Sequence, residues 1–328
     1  MKAIVYTEYG SPDVLQFTEV AKPVPKDAEV LISVRAASVN PLDWHCMRGT
    51  PYAMRINAGL RMPKITRLGI DVAGKVEAVG KNVTRFRSGD EVFGACKGTF
   101  AEYTCASEGA LVLKPANVTF EQAAAVPVAA LTAVQGLRDK GQIQRGQRVL
   151  INGAAGGVGT FAVQIAKVFG ADVTGVCSTR NVGMVRSIGA DHVIDYTQED
   201  FTRSGRRYDL VFDSVGNHSL SECRRALTAE GTLVLVGGPN KGRWLGPLTG
   251  MLKAVVLSRF VNQKLRPFLT RLRKDDLIVI RELLEAGKVA PVIDRSYLLS
   301  NVPDAIRYLE AGHASGKVVI TMEHRSET

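Results

Sequence analysis

What this chain lacks narrows its function before any motif is read. No apolar run is long enough to span a bilayer. No secretory leader opens it, because MKAIVYTEYG returns to polar residues after three consecutive apolar ones. The five cysteines (Cys46, Cys96, Cys105, Cys177, Cys223) are dispersed and form no C-x-x-C pair. That usage fits a reducing compartment without structural disulfides or structural zinc, so the expected location is the cytoplasm. No nucleic-acid-binding motif accompanies the net charge of +10. The basic excess therefore reads as a solvated surface, as attraction for an anionic small ligand, or as contact with an anionic membrane surface. Repeats and low-complexity segments are also missing.

What is present is an ordinary globular composition, 45% hydrophobic and 23% charged over 328 residues, enough for two domains. The first third is β-rich: MKAIVYTEY, EVLISVRAASV, VAGKVEAVG, GDEVFG and FAEYTCA are short runs of Val, Ile, Phe and Tyr punctuated by Gly, Pro and Asp. They suggest a small, irregular barrel-like domain. FEQAAAVPVAALTAVQGL then takes helical spacing, interrupted by Pro127. From Arg148 onward, apolar runs at 148–151, 172–176, 193–194, 209–212 and 232–236 alternate with helical patterns at 158–169, 181–188 and 218–227. Such alternation predicts right-handed crossovers and a parallel sheet. The closing GKVVITM reads as a strand that rejoins the first domain.

The most informative segment is RVLINGAAGGVG, 148–159. A buried strand ends in the turn Gly153-Ala154-Ala155-Gly156-Gly157-Val158-Gly159, and a helix follows at once. Backbone N–H groups at a helix N-terminus, with the dipole behind them, suit a pyrophosphate. Ala replaces the first glycine of G-x-G-x-x-G. Gly156 lets backbone approach the phosphates, and Gly159 lets the helix pack close to the strand.

The second strand of such a site normally ends in an acidic residue that bonds the ribose 2′-OH. Here it ends Val176-Cys177-Ser178-Thr179-Arg180, with no Asp or Glu. Hydroxyls and a guanidinium suit a 2′-phosphate, so NADPH is expected over NADH, with Ser178 and Arg180 as its contacts. Ser178 or Thr179 would serve equally as a helix cap. Tyr196, after the third strand, lies either beside the adenosine phosphate or in solvent. Turns at strand C-termini carry ligands in open α/β sheets, which brings in Gly216 after the fourth strand and Val236, Gly237 and Gly238 after the fifth.

At this point AASVNPLDW (36–44), GIDVAGKVEAVG (69–80), GDEVFG (89–94), VPVAALTAVQGL (126–137), NGAAGGVG (152–159), GADHVIDY (189–196) and GKVV (316–319) fall into one pattern. In this order they cover nearly the whole chain, and the chain resembles the zinc-independent medium-chain dehydrogenase/reductases of the quinone oxidoreductase-like branch. The resemblance implies an α/β protein with a GroES-like catalytic domain at 1–123 and 273–328 and a Rossmann doubly wound parallel-sheet domain at 124–272. It implies NADPH-dependent reduction of quinones or α,β-unsaturated carbonyls, commonly by homodimers. By similarity Asn40 faces the nicotinamide ribose, Thr132 the nicotinamide, and Gly316 and Lys317 close over the cofactor.

Zinc members of the superfamily place Cys in the segment matching 39–43 and His-Glu at Ile70-Asp71. Here the first segment reads Val-Asn-Pro-Leu-Asp, so the donors of a three-ligand catalytic zinc are missing. Neighbouring His45 and Cys46, on an extended chain, would point to opposite faces. No metal site is expected. Without a metal to polarise an alcohol, conjugate reduction is the easier chemistry, needing alignment of two rings and stabilisation of an enolate or quinol oxygen. Tyr52, in RGTPYAMR, is the candidate proton donor or an aromatic wall for a flat substrate, and Asp43 orients water or caps a turn.

Trp244, Leu245, Leu248, Met251, Leu252, Val255, Val256, Arg259 and Phe260 recur at helical steps, with Pro247 and Gly250 weakening the first turns. The stripe packs on its own domain or a neighbour, covers the substrate cleft, or lies on a membrane surface. Two rivals to the enone or quinone reductase remain: an alcohol or carbonyl dehydrogenase of zinc or other NAD(P)-dependent type, and a low-turnover cofactor-binding protein that meets a membrane or partner.

Overall fold

The computed structural model describes residues 1–236 and 247–322, with backbone alone at 247–249 and 251. Its contacts divide into two compact units, Met1–Val128 with Leu272–Thr328, and Ala129–Arg271. The sequence reading set the joins at 123/124 and 272/273.

The split unit opens with β1 (Lys2–Val5), β2 (Gln16–Glu19), β3 (Glu29–Val39), α1 (Pro41–Arg48), α2 (Arg55–Ala58), β4 (Asp71–Val79), β5 (Glu91–Ala95), β6 (Tyr103–Ser107), β7 (Leu111–Leu113), α3 (Phe120–Ala124) and the start of α4 (Pro127–Val134). The inserted unit carries β8 (Arg148–Asn152), α5 (Gly157–Val168), β9 (Asp172–Cys177), α6 (Val182–Ser187), β10 (His192–Asp195), β11 (Tyr208–Asp213), α7 (Leu220–Arg225), β12 (Leu227–Leu235), α8 (Pro247–Leu257) and β13 (Lys264–Pro267). The chain then returns to the split unit as α9 (Lys274–Glu285), β14 (Ile293–Leu298), α10 (Val302–Glu310) and β15 (Lys317–Thr321).

In the split unit seven strands share one sheet, ordered β14-β15-β3-β4-β5-β7, with β6 also paired to β3. The expected late partner is present: β15 runs antiparallel to β3, with Val318 opposite Val39 and Ile320 opposite Ala37. Residues from the two chain ends fill one core, in which Ile32, Val34, Val72, Val302, Ile306 and Val318 are buried. The β-branched residues of β3 suit this position between neighbours.

The inserted unit is a six-stranded parallel sheet ordered β10-β9-β8-β11-β12-β13. In sequence rank that order is 3-2-1-4-5-6, doubly wound, with its reversal between β8 and β11. Short runs of Val, Leu and Ile make the strands because both faces are covered.

Two expectations change here. Proline opens α8 at its first position instead of weakening it, because that position needs no N–H partner. Its large side chains Leu252, Val255 and Val256 are exposed, while Ala254 is buried. Of the stripe's described apolar side chains, Leu252, Val255, Val256 and Phe260 are exposed; Trp244 and Leu245, and the side chains of Leu248 and Met251, lie outside the described residues. His45 and Cys46 sit on helix α1 and not on an extended chain, so the argument from opposite strand faces does not apply.

Candidate functional site

The inserted unit places the glycine turn at the sheet's order reversal. Gly153 follows β8 with φ +84°, and a Cβ there would meet Ser214 Oγ and Val215 Cγ2, both at 2.7 Å. Only glycine adopts this turn without strain. Ala154 is buried, and its N–H donates to Val176 O at 3.0 Å, clamping the turn onto β9. A Cβ on Gly159 would lie 2.0 Å from Gly153 O. The missing side chain lets α5 press against the turn. Gly156 caps α5 in an extended conformation, with no side chain bonded across the cap. A Cβ on it would meet nothing within 4 Å but Gly153 O, at 3.4 Å. The space in front of the helix N-terminus is thus open, and the first N–H groups, those of Gly157, Val158 and Gly159, have no intrahelical acceptor. These residues fit the diphosphate of a dinucleotide.

Across the reversal, Asp213 is fully buried and supports the turn after β11. Its Oδ1 accepts from Asn152 Nδ2 (2.8 Å), Val215 N (3.1 Å) and Gly216 N (2.9 Å), while its Oδ2 has no partner among the described residues. Gly216 takes φ +70°. Thr132, on α4, is buried with its hydroxyl 2.6 Å from that of Thr270. Val236 donates its N–H to Asp213 O. Gly237 and Gly238 lie outside the described residues.

At the end of β9, Ser178 Oγ accepts from Asn181 Nδ2 at 3.3 Å, and Arg180 is exposed. Tyr196 is exposed beside them, its N–H donating to Cys177 O at 3.0 Å. The sequence search missed one acidic residue, because it followed β9 and not its neighbour. Asp195, at the end of β10, accepts from Thr179 Oγ1 at 2.6 Å, Thr197 N at 3.0 Å, Thr197 Oγ1 at 2.8 Å and Gln198 Nε2 at 3.1 Å. The Thr179 hydroxyl bond is the leading reason its carboxyl sits below the usual range. Thr179 is therefore committed to Asp195.

The split unit brings Asn40 and Lys317 together. Both are buried and turned toward each other: Lys317 Nζ donates to Asn40 Oδ1 at 2.7 Å, Asp71 Oδ2 at 3.3 Å and Val39 O at 3.3 Å. Asn40 Nδ2 donates to the same Asp71 oxygen at 2.9 Å, and Ser38 Oγ does so at 2.7 Å. Asp71 Oδ1 accepts from Val128 N at 2.9 Å, in the first turn of α4. The side chains of Asn40 and Lys317 are thus spent inside this cluster. Gly316, with φ +124°, makes the turn into β15, where a Cβ would meet Val292 O at 2.5 Å. Asp71 and Ser38 were not singled out from sequence, although an acidic residue in a buried strand signals a partner.

Asp43 is also buried. Its Oδ2 accepts from Asn40 N at 2.7 Å and its Oδ1 from Gly69 N at 3.0 Å, so it caps α1 and ties it to the loop before β4. Burial outweighs both bonds and pushes its carboxyl up to about 7, with the negative Asp71 adding to the rise. Tyr52 stands apart, in a short turn that continues into α2, half-buried with the Arg55 guanidinium 4.7 Å from its ring. Among the described residues no group of three or more His, Cys, Asp or Glu side chains is placed to hold a metal ion.

Comparison with known proteins places this geometry. Residues 26–116 match the alcohol dehydrogenase GroES-like domain and residues 188–320 the zinc-binding dehydrogenase family. The chain is 39% identical, over 98% of its own length and 79% of the other's, to a 2-methylene-furan-3-one reductase of Solanum lycopersicum. It is 37% identical, over the same shares of 98% and 79%, to an NADPH-dependent alkenal/one oxidoreductase, chloroplastic, of Arabidopsis thaliana. The solved quinone oxidoreductase of Coxiella burnetii superposes with a TM-score of 0.87 at 30% identity, covering 98% of this chain and 99% of that one.

Two measurements test the buried cluster. Lys317→Met strips Asp71 of its cation and is expected to cost about 3 kcal/mol in urea unfolding, with Asp71→Asn/Lys317→Met recovering part of the loss. A cost below about 1 kcal/mol would show that the neutral donors suffice. Asp43 binds its proton more tightly folded than unfolded, so its contribution is complete below the unfolded value near 4 and is lost as pH rises through about 7. Thermal midpoints of the wild type should fall from pH 5 to pH 8 more steeply than those of Asp43→Asn. Parallel profiles would remove Asp43 as the titrating group.

Proposed function

This chain belongs to the medium-chain dehydrogenase/reductase family, in its quinone oxidoreductase-like branch, and we propose that it reduces quinones or α,β-unsaturated carbonyls with NADPH and without a metal. It is an NAD(P)H-dependent oxidoreductase by membership; the substrate class, coenzyme preference and metal independence are the proposal. Its main support is the uncapped, open N-terminus of α5 over the Gly153–Gly156 turn, at the reversal of the sheet order. The bound dinucleotide supplies the hydride.

The chain's own residues bind and orient. Backbone N–H groups of Gly157, Val158 and Gly159 receive the diphosphate, with Gly153 and Ala154 shaping the turn and Gly156, its own N–H donating to Gly153 O at 3.0 Å, leaving room for the phosphates to approach. Ser178 and Arg180 meet the 2′-phosphate, with Tyr196 beside them. No carboxylate terminates β9, and the one at the end of β10 is already satisfied by Thr179, Thr197 and Gln198. Thr132, Gly216 and Val236 lie on the nicotinamide side. Asn40 and Lys317 act by holding the Asp71 cluster, and Gly316 by shaping the turn before β15. Tyr52 donates a proton or hydrogen bond to the oxygen on which charge collects.

Zinc does not fit the position that Asp71 shares with zinc members of the superfamily. Its neighbour there is Ile70, and its own oxygens accept from Ser38, Asn40, Lys317 and Val128. An ammonium already supplies the local positive charge. This donor set favours conjugate reduction over the zinc-type alcohol dehydrogenase reading. The Solanum and Arabidopsis relatives, named for a furanone and for alkenals and enones, point to the same substrates. A homodimer in the cytoplasm completes the proposal; no helix among the described residues is long and apolar enough to cross a membrane.

Fluorescence titration should show NADPH binding at least about tenfold tighter than NADH, a difference of about 1.4 kcal/mol. Equal affinities would defeat the assignment of Ser178 and Arg180. In steady-state assays with an enone, Tyr52→Phe is expected to lower kcat/KM about 100-fold. An unchanged value would leave Tyr52 as a wall of the pocket only.

A further inference from the structure

Among its described side chains, helix α8 carries large apolar residues on the face turned to solvent as well as on the face turned to its own unit. Toward its own unit it presents the small Ala254, 0% exposed, within the core cluster that holds Leu233, Leu235 and Leu265, with Leu257 packed alongside. Toward solvent it presents Leu252 (66% exposed), Val255 (46%) and Val256 (52%), at steps of three and four. The backbone turns on past the helix, Phe260 N donating to Leu257 O, and Phe260 is 79% exposed. A helix that packs only on its own domain keeps its large apolar side chains inward. Four of them gathered on one outer face mark a contact surface.

The stretch of chain that carries this face has charge of one sign. From Gly231 to Lys274 the chain has nine Lys and Arg and no Asp or Glu, so nearly all of the net +10 originates in this stretch. Within the described part of the inserted unit, Lys253, Arg259, Lys264, Arg266 and Arg271 are all exposed. Arg259 lies in the turn that follows the helix, and Lys253 lies within it beside Leu252. On the edge strand β13, Lys264 and Arg266 point out on either side of buried Leu265.

We propose that this face docks the protein on an anionic phospholipid bilayer, with Leu252, Val255, Val256 and Phe260 entering the headgroup boundary and the surrounding cations meeting lipid phosphates and carboxylates. Interleaved aliphatic and cationic side chains match that interface, which is apolar a few ångströms below a negatively charged plane. A nucleic acid would use the cations and leave the aliphatics in water. A second copy on the same face would set two acid-free stretches, each with five exposed cations, against each other. The binding is peripheral and salt-sensitive. It is independent of the coenzyme and substrate proposed above.

The test is flotation of the full-length protein with phosphatidylcholine vesicles, with and without 30% phosphatidylserine. The wild type is expected to float with the anionic vesicles and not with the neutral ones, and to be released at high salt. Leu252→Gln/Val256→Gln/Phe260→Ser and, separately, Lys253→Gln/Arg259→Gln/Lys264→Gln should each lower the bound fraction at least threefold. NADPH affinity and thermal midpoint should stay at wild-type values, since these side chains are exposed. The salt series on the wild type decides the matter even if a variant fails to fold. No flotation with anionic vesicles, equal flotation with neutral ones, or binding indifferent to salt or to both folded variants overturns the proposal. So does light scattering that shows the apolar triple variant dissociating a wild-type dimer.

Discussion

The ammonium of Lys317, buried against Asp71, is the constraint on which the split unit rests. Lys317 comes from the last strand of the chain and Asp71 from the first residue of β4, 246 positions earlier. Neither charge is accessible to water, so each needs the other and the neutral donors around them. Ser38, Asn40 and the Val128 N–H complete that shell. The cluster lies where β3, β4 and β15 share a sheet and where α4 begins. A chain whose two ends must find each other across an inserted domain gains specificity from such a pairing, because a slipped β15 would leave a carboxylate buried alone.

The same cluster explains why the active-site chemistry can be sparse. Asp71 sits where zinc members of the superfamily place a carboxylate beside their metal, yet here the local cation is a side chain of the protein. An ammonium held by three oxygens is a fixed charge with no open coordination position. Under the proposed function, such a site aligns reactants and relies on a conjugated acceptor. Asp43, one turn away on α1, adds a second carboxyl whose proton affinity is raised by burial, in a place where its two backbone bonds alone would keep it ionised.

In the inserted unit, geometry and not charge prepares the cofactor site. Gly153 bends the chain into a conformation other residues resist, Gly159 lets α5 approach to within contact of that bend, and Gly156 leaves the space ahead of the helix clear. Positive side chains are kept elsewhere, on α8 and β13, where they face outward with Leu252, Val256 and Phe260. The basic excess that composition alone left unassigned thus gathers largely in the stretch from Gly231 to Lys274, which has nine Lys and Arg and no acid.

Much of this was legible in the residues. Alternating apolar runs and helical patterns from Arg148 onward announced a parallel sheet, and strand–turn–helix order announced the phosphate turn, because both follow from periods and spacings local to the chain. The GKVV strand was recognisable as a late partner for β3. What no local pattern revealed was which buried polar groups meet: Asn40 and Lys317 bond each other and Asp71. Asp195 escaped notice because it reaches Thr179 across neighbouring strands, and the stripe of α8 told its spacing but not which way it faced. Hydrophobic periodicity and glycine placement are set residue by residue along the chain, so sequence determined the elements and their order. Partners in the buried cluster separated by up to 278 positions, and the side of a helix left to water, depend on how distant segments pack, and only the tertiary structure decided them.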